Sequence, residues 1–349
     1  MEQINFKDFQ IVPDINSVRH ECIDDDTYFS KNYSGYVSNS RLGWIDPNRN
    51  GNYKLFQNPP KVKTSSLTIG SSVHELLLQP NEFTLAPKIN KPNAKLGDVM
   101  DYISNFLKEG KGLDEAIVCA AKSADYFTNQ LGQNKINGIK DIWLDYSKRL
   151  ENLPKTDKKQ IILSDADWFL VDTCFNSCLK NPEIIDKLYP FDEAGNPKEA
   201  HFEDAFFMDF IVIYKNRYCD RIPFKMKADN WTVDHENKII TLNDLKTTGH
   251  STNKFMQPDG SWDKYCYARQ MAVYSTILWY WLMKTYGVSK KLGWQLKANM
   301  LVVETIPNYW SRSFYVTDQQ LKQGQKMFRE LMSRVAYYNI FGDKEVEFV

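Results

Sequence analysis

Between Lys225 and Thr248 the chain reads KMKADNWTVDHENKIITLNDLKTT, a stretch that holds groups suited to phosphate chemistry. Asp244 and Lys246 stand two positions apart at the end of an apolar run. In an extended strand alternate side chains share a face, so this carboxylate and ammonium point the same way while Leu245 turns to the other side. Asp229 closes the preceding apolar stretch, and a hairpin through Asp234-His235-Glu236-Asn237 returns it beside Asp244. Two converging carboxylates make a hard-oxygen site that suits Mg2+, with Mn2+ as a substitute. A lysine beside them can hold an anionic substrate or its attacking water, which fits metal-assisted hydrolysis of a phosphodiester. Taken alone, Asp-x-Lys is common, and a solvated ion pair at a strand end accounts for it as well.

The elements that must position these groups follow from periodicity. Residues 201–214, 218–229 and 238–248 read as β-strands separated by short polar turns, with Asp229 at the end of the second. Residues 262–287 form a long helix ending at Gly287, 295–306 and 311–316 two more strands, and 317–339 a final helix capped by Thr317 or Asp318. Upstream, Val73, Leu76 and Leu77 share one face of a helix that Pro80 stops, with His74 beside that face. Residues 95–150 are helical, and 162–182 form a helix capped near Ser164 and stopped by Asn181-Pro182. Residues 36–64, rich in Asn, Pro and Gly, read as loop. This order implies an α/β protein with a mixed sheet flanked by helices and a helical N-terminal elaboration. The expected organisation is an N-terminal arm over 1–35 and one domain over 36–349, its helical part about 65–185 and its sheet core about 200–316.

At 349 residues the chain can bury a large core. Its formal net charge of +0 excludes an overall basic field for nucleic acid, although a local basic groove can sit on a neutral protein. The start, MEQINFKDFQ, has no secretory-leader pattern, and the longest apolar run, 271–283, is shorter than the ~18 residues of a membrane span. The cysteines are scattered, with only Cys174 and Cys178 close, so reduced thiols in a cytoplasmic protein are expected and an iron–sulfur cluster is not.

The pair "KMKAD … DLKTT" resembles the core of the PD-(D/E)xK nuclease superfamily, and more closely the RecE-type phage recombination exonucleases, relatives of the RecB nuclease domain and lambda exonuclease. "YVSNSRLGW", "IGSSVHELLLQPNEF", "YARQMAVY" and "ANMLVVETIPNYWSRSFYV" are similar to further family stretches in the same order, so the resemblance spans about 36–340. It implies a restriction-endonuclease-like core. It also implies Asp229, Asp244 and the main-chain oxygen of Leu245 as metal ligands, with His74 reaching the metal from the N-terminal helix. Lys246 would position the attacking water, and Gln270 and Tyr274 would support the site and the DNA strand. Glu203 stays open between a supporting ligand and a solvated strand face. The family's arginine is Lys227 here, which keeps the charge and loses the bidentate fork.

The activity so implied is magnesium-dependent exonuclease action on double-stranded DNA ends, 5′ to 3′, in phage-type recombination. The implied assembly is a ring-shaped homo-oligomer with a single-strand annealing protein as partner, in a bacterial host cytoplasm. A RecB-like nuclease on single strands or flaps, and a non-catalytic DNA-binding protein on the same fold, are the alternatives. Arg221, Lys225, Lys227, Lys254, Lys264 and Arg269 surround the motif in sequence and are candidates to neutralise phosphates without reading bases. Trp262 and Tyr265 are candidates to stack on a frayed base.

Overall fold

The computed structural model describes residues 2–60, 64–127, 131–342 and 346–348. It divides into two compact units, one made of residues 1–62 with 177–349 and the other of 63–176.

The first unit is built on a seven-stranded mixed sheet. Its strands are β1 (Phe9–Pro13), β2 (Arg19–Glu21), β3 (Glu199–Tyr214), β4 (Arg217–Asp234), β5 (Ile239–Thr248), β6 (Gln295–Glu304) and β7 (Ser311–Tyr315). The order is β7-β6-β5-β4-β3-β1, with β2 pairing along β3 next to β1. Within this sheet, among the described residues, only β5 and β6 pair in parallel. Tight turns explain the long hairpins: Lys215 and Asn216 both have positive φ (47° and 63°), the conformation that matches the twist of β3 and β4. Asp234 closes the next turn by accepting from the Asn237 amide at 3.0 Å. A parallel neighbour needs a long crossover, and residues 249–294 supply it around helix α1 (Tyr267–Tyr286).

Helices α1 and α2 (Asp318–Phe341) pack with the sheet into one core. Phe206, Met208 and Phe210 of β3 and Phe224 and Met226 of β4 join Ile277, Leu278, Phe328 and Met332 there. Each such fully buried side chain contributes about 1.5–3 kcal/mol. The helices cross so closely at Gly324 that a Cβ would lie 1.9 Å from the Ala268 carbonyl oxygen, so no other residue fits. A short helix, Pro182–Leu188, covers part of the opposite face, and Tyr28, Tyr33 and Tyr36 pack there on Ala205 and Phe207.

The stretch read as an N-terminal arm supplies β1 and β2, with Phe9, Ile11 and Val18 in the core. The stretch read as loop over 36–64 contains two short helices, Asn39–Leu42 and Tyr53–Gln57, each capped by the side chain before it, Ser38 and Asn52. The second unit is helical, with Ser65–Leu78, Ala94–Lys108, Leu113–Ser123 and Gln133–Glu151. Val99, Ile103, Ile117, Ile139 and Trp143 lead its core. Among the described residues no helix is long and apolar enough to cross a membrane.

Candidate active site

The site forms where the sheet loses its regularity. The β3–β4 ladder runs through Asp204↔Ala228 and Phe202↔Asn230 but skips Glu203 and Asp229. Glu203 has φ 55°, the left-handed region, which costs a non-glycine residue about 1–2 kcal/mol. The alternation of both strands changes phase there. Even-numbered Phe206 and odd-numbered Trp231 both reach Trp281 of α1, at 5.3 and 5.7 Å between ring centroids. Asp229 was expected to end its strand. Instead the strand continues to Asp234, and Asp229 sits at the interruption.

On the other side of Asp229 the β4–β5 ladder ends at Asn230↔Asn243. Beyond that rung the Leu245 amide donates to Asp229 Oδ2 at 2.8 Å. A carboxylate thus takes the place of a backbone acceptor in the fork between two diverging strands. β5 stays paired with β6 through Thr248↔Glu304, which keeps Asp244 and Lys246 on rigid backbone.

Lys246 Nζ lies 2.5 Å from Asp244 Oδ2 and 3.6 Å from Asp229 Oδ2, and donates to the Leu245 carbonyl at 3.0 Å. Gln270 Nε2, from the first turn of α1, donates to Asp244 Oδ1 at 2.6 Å. Carboxylate oxygens of Glu203 and Asp229 lie within 4.8 Å of each other. Lys227 bridges Glu203 at 2.7 Å and Asp25. Burial, reinforced by repulsion from Asp229, pushes Asp244 up to about 7 although Lys246 opposes the shift. Burial and the same repulsion push Glu203 up to about 7. Burial alone would lower the Lys246 ammonium, but Asp229 and Asp244 outweigh it and hold it well above the usual lysine range. Burial likewise raises Tyr274, half-buried one turn beyond Gln270, so its phenol stays neutral.

This donor set is all hard oxygen and its carboxylates crowd one another in a dry place. Two of them resist ionisation despite the neighbouring ammonium groups, so a divalent cation fits the group.

The basic residues separate into distinct environments. Lys225 was expected along a DNA path but turns inward, donating to the Tyr28 carbonyl at 2.6 Å with its ammonium 4.2 Å from the Tyr28 ring centroid. Burial lowers it to about 8. Arg269 is buried too, with Nε donating to Asn39 Oδ1 at 2.9 Å and its guanidinium 3.5 Å from Asp46. It ties the first turn of α1 to the 39–46 segment, and so orients Gln270 rather than meeting phosphate. Lys227 is committed to carboxylates, and Arg221 pairs with Asp14 and Asp209 at 2.8 and 3.2 Å. Lys254 and Lys264 are exposed. Trp262 is buried, whereas Tyr265 is 42% exposed. His74 lies half-buried on Ser65–Leu78 of the helical unit.

Sequence reasoning missed the residues behind the carboxylates. Asn230, Asn243 and Asn299 form a buried row across β4, β5 and β6. Asn243 donates to Asn230 Oδ1 at 2.7 Å and to the Lys187 carbonyl at 3.0 Å, and Asn299 donates to Asn243 Oδ1 at 2.9 Å. Asparagine is disfavoured in strands, so two of them directly beside Asp229 and Asp244 were the available signal. Buried Glu304 also went unassigned; it accepts from the Thr252 amide and hydroxyl at 2.5 and 2.8 Å and anchors the chain leaving β5.

No protein-family model and no curated protein matches the chain. Among solved structures it is similar to the crystal structure of a protein named "putative exonuclease" from Eubacterium rectale. The identity is 14%, the match covers 93% of this chain and 89% of that one, and the TM-score is 0.45.

Proposed function

We propose that the protein is a magnesium-dependent deoxyribonuclease that degrades double-stranded DNA from its ends. The observation that carries this reading is the gathering of Asp229, Asp244, Glu203 and Lys246 at the β4–β5 fork, with Gln270 fixing the Asp244 carboxylate. Asp229, Asp244, the Leu245 carbonyl and Glu203 would hold the cation. The family resemblance nominates His74 as a further ligand. A bound divalent ion would supply Lewis-acid activation of the phosphate and of its attacking water.

The remaining work falls to the chain itself. Gln270 holds one oxygen of Asp244 and so fixes the rotamer of a buried carboxylate. The Leu245 amide does the same for Asp229. Lys246 keeps its positive charge at any physiological pH and stands where negative charge grows on the phosphate, an interaction worth most in the transition state. Tyr274 contributes a neutral phenol beside the group. The 5′-to-3′ direction, a ring of subunits, an annealing partner and a recombination role are proposed from the resemblance, and a host-cytoplasmic location with them.

The test is a digest of end-labelled linear duplex, closed circular duplex and single strands, with magnesium or with chelator. Magnesium-dependent loss of linear duplex alone supports the reading. Preference for single strands or flaps moves the substrate to the RecB-like class. Absence of any magnesium-dependent cutting refutes catalysis.

A further inference from the structure

Past Thr248 the chain leaves the catalytic strand and reaches α1 through the short helices Thr252–Phe255 and Ser261–Lys264. At its end two adjacent rings stand between Lys246 of β5 and Lys264. Lys246 Nζ is 5.8 Å from the Tyr267 ring centroid. The Tyr267 and Tyr265 centroids are 5.7 Å apart. Lys264 Nζ stands 5.4 Å from the Tyr265 centroid. The inner ring is half-buried and stacks on Phe255 at 5.7 Å, while the outer ring is 42% exposed.

The backbone under this row is fixed. The Ser261 and Thr248 hydroxyls are 3.2 Å apart, Trp262 is buried, and a Cβ at Gly260 would fall 2.2 Å from the Lys254 carbonyl oxygen. Tyr265 is therefore an aromatic face held in water on a rigid support, where burial contributes little to the core. It stands between the Lys264 ammonium and the Tyr267 ring, a cation and a second π-face, which suits a base that carries a phosphate.

We propose that Tyr265 is a stacking platform for an unpaired base of the DNA strand whose phosphate is attacked beside Lys246, with Lys264 meeting a neighbouring phosphate. The two ring steps from Lys246, 5.8 and 5.7 Å, reach no farther than about four stacked nucleotides at ~3.4 Å each, so the base lies within that distance of the scissile bond. The inference rests on the nuclease reading. It adds that the enzyme binds an end already unpaired over those few nucleotides.

The test uses duplexes carrying 2-aminopurine at successive positions from the end, bound in calcium, together with steady-state degradation in magnesium. Wild type should quench the probe at one or two positions, and Tyr265→Phe and Tyr265→Trp should retain the quench. Tyr265→Ala should abolish it and raise KM about tenfold, within the range of base–aromatic stacking, with kcat within twofold. Tyr218→Ala, an exposed ring elsewhere on the sheet, should change neither readout. Wild type that degrades DNA yet quenches no probe position, or Tyr265→Ala with unchanged KM, overturns the platform and leaves the nuclease reading standing. Wild type without magnesium-dependent degradation overturns both.

Discussion

Replacing Glu203 separates backbone strain from charge. Its φ of 55° costs any side-chain-bearing residue, whereas glycine adopts it freely. Glu203→Ala and Glu203→Gly remove the same carboxylate and the same partner of Lys227. They differ only in whether a Cβ stays in the left-handed conformation. Glycine should therefore be the more stable variant by about 1 kcal/mol, reversing the 0.5–1 kcal/mol advantage that alanine has elsewhere in a strand. At this chain length such a difference moves the melting temperature by only ~1–2 °C, so urea unfolding in chelator is the better assay. Both variants should also flatten a pH dependence of wild type. Burial holds the carboxyl up at about 7 in the folded chain against its ordinary 4.5, so between those values the folded state binds more protons than the unfolded. Metal-free stability should fall as pH rises from about 4.5 to about 7, with the penalty absent below that window and complete above it. Asp244, also raised, contributes a slope of the same sign. A glycine variant less stable than the alanine variant would refute the strain argument, and wild type that gains stability across the window would refute the burial argument.

Further outcomes follow from the same geometry. Lys246→Ala should bind a duplex end in calcium with near-normal affinity yet show single-turnover cleavage slower by on the order of a hundredfold or more. Asp244→Asn should stay folded in chelator and lose most of the melting-temperature increase that magnesium gives wild type, as measured by scanning fluorimetry. Lys225→Met should leave DNA affinity and its salt dependence unchanged, because its ammonium lies under Tyr28. Lys254→Ala and Lys264→Ala should each lower the slope of log affinity against log salt by about 1. Asn243→Leu strands buried groups on Asn230, Asn299 and Lys187 and should cost about 3 kcal/mol or more in urea unfolding.

The alternation that puts Asp244 and Lys246 on one side of β5 needs only period two, and the turns around Asn216 and Asp234 are written in local residue types. Those features were legible for that reason. β1 and β2 were not, because they are short, β2 is polar throughout (Arg19-His20-Glu21), and both find their partner strand far along the chain. The phase change at Glu203 leaves no mark in composition: a glutamate in the left-handed region looks like any other glutamate. Lys225 and Arg269 read as candidates to meet phosphate because one-dimensional pattern does not distinguish an ammonium beneath a tyrosine, or a guanidinium clasped by Asn39, from a solvated one. The chain over 36–46 matters through that clasp, which no periodicity reveals.

The connectivity of the fork sets an order of assembly. Asp229 and Asp244 are brought together by one hairpin, a local closure that forms quickly. Their organising partners arrive by slower routes. Gln270 depends on closing residues 249–269, the β6 ladder on the whole 249–294 crossover, and Arg269 on contact with Asn39 far up the chain. During folding the paired carboxylates are therefore juxtaposed before the groups that immobilise Asp244 have docked. At that stage Lys246, on the same hairpin, is the cation beside them, and on the proposed metal-binding reading a divalent ion added then would speed the docking of α1. On that reading magnesium raises the refolding rate as well as the stability, which refolding with magnesium and with chelator checks.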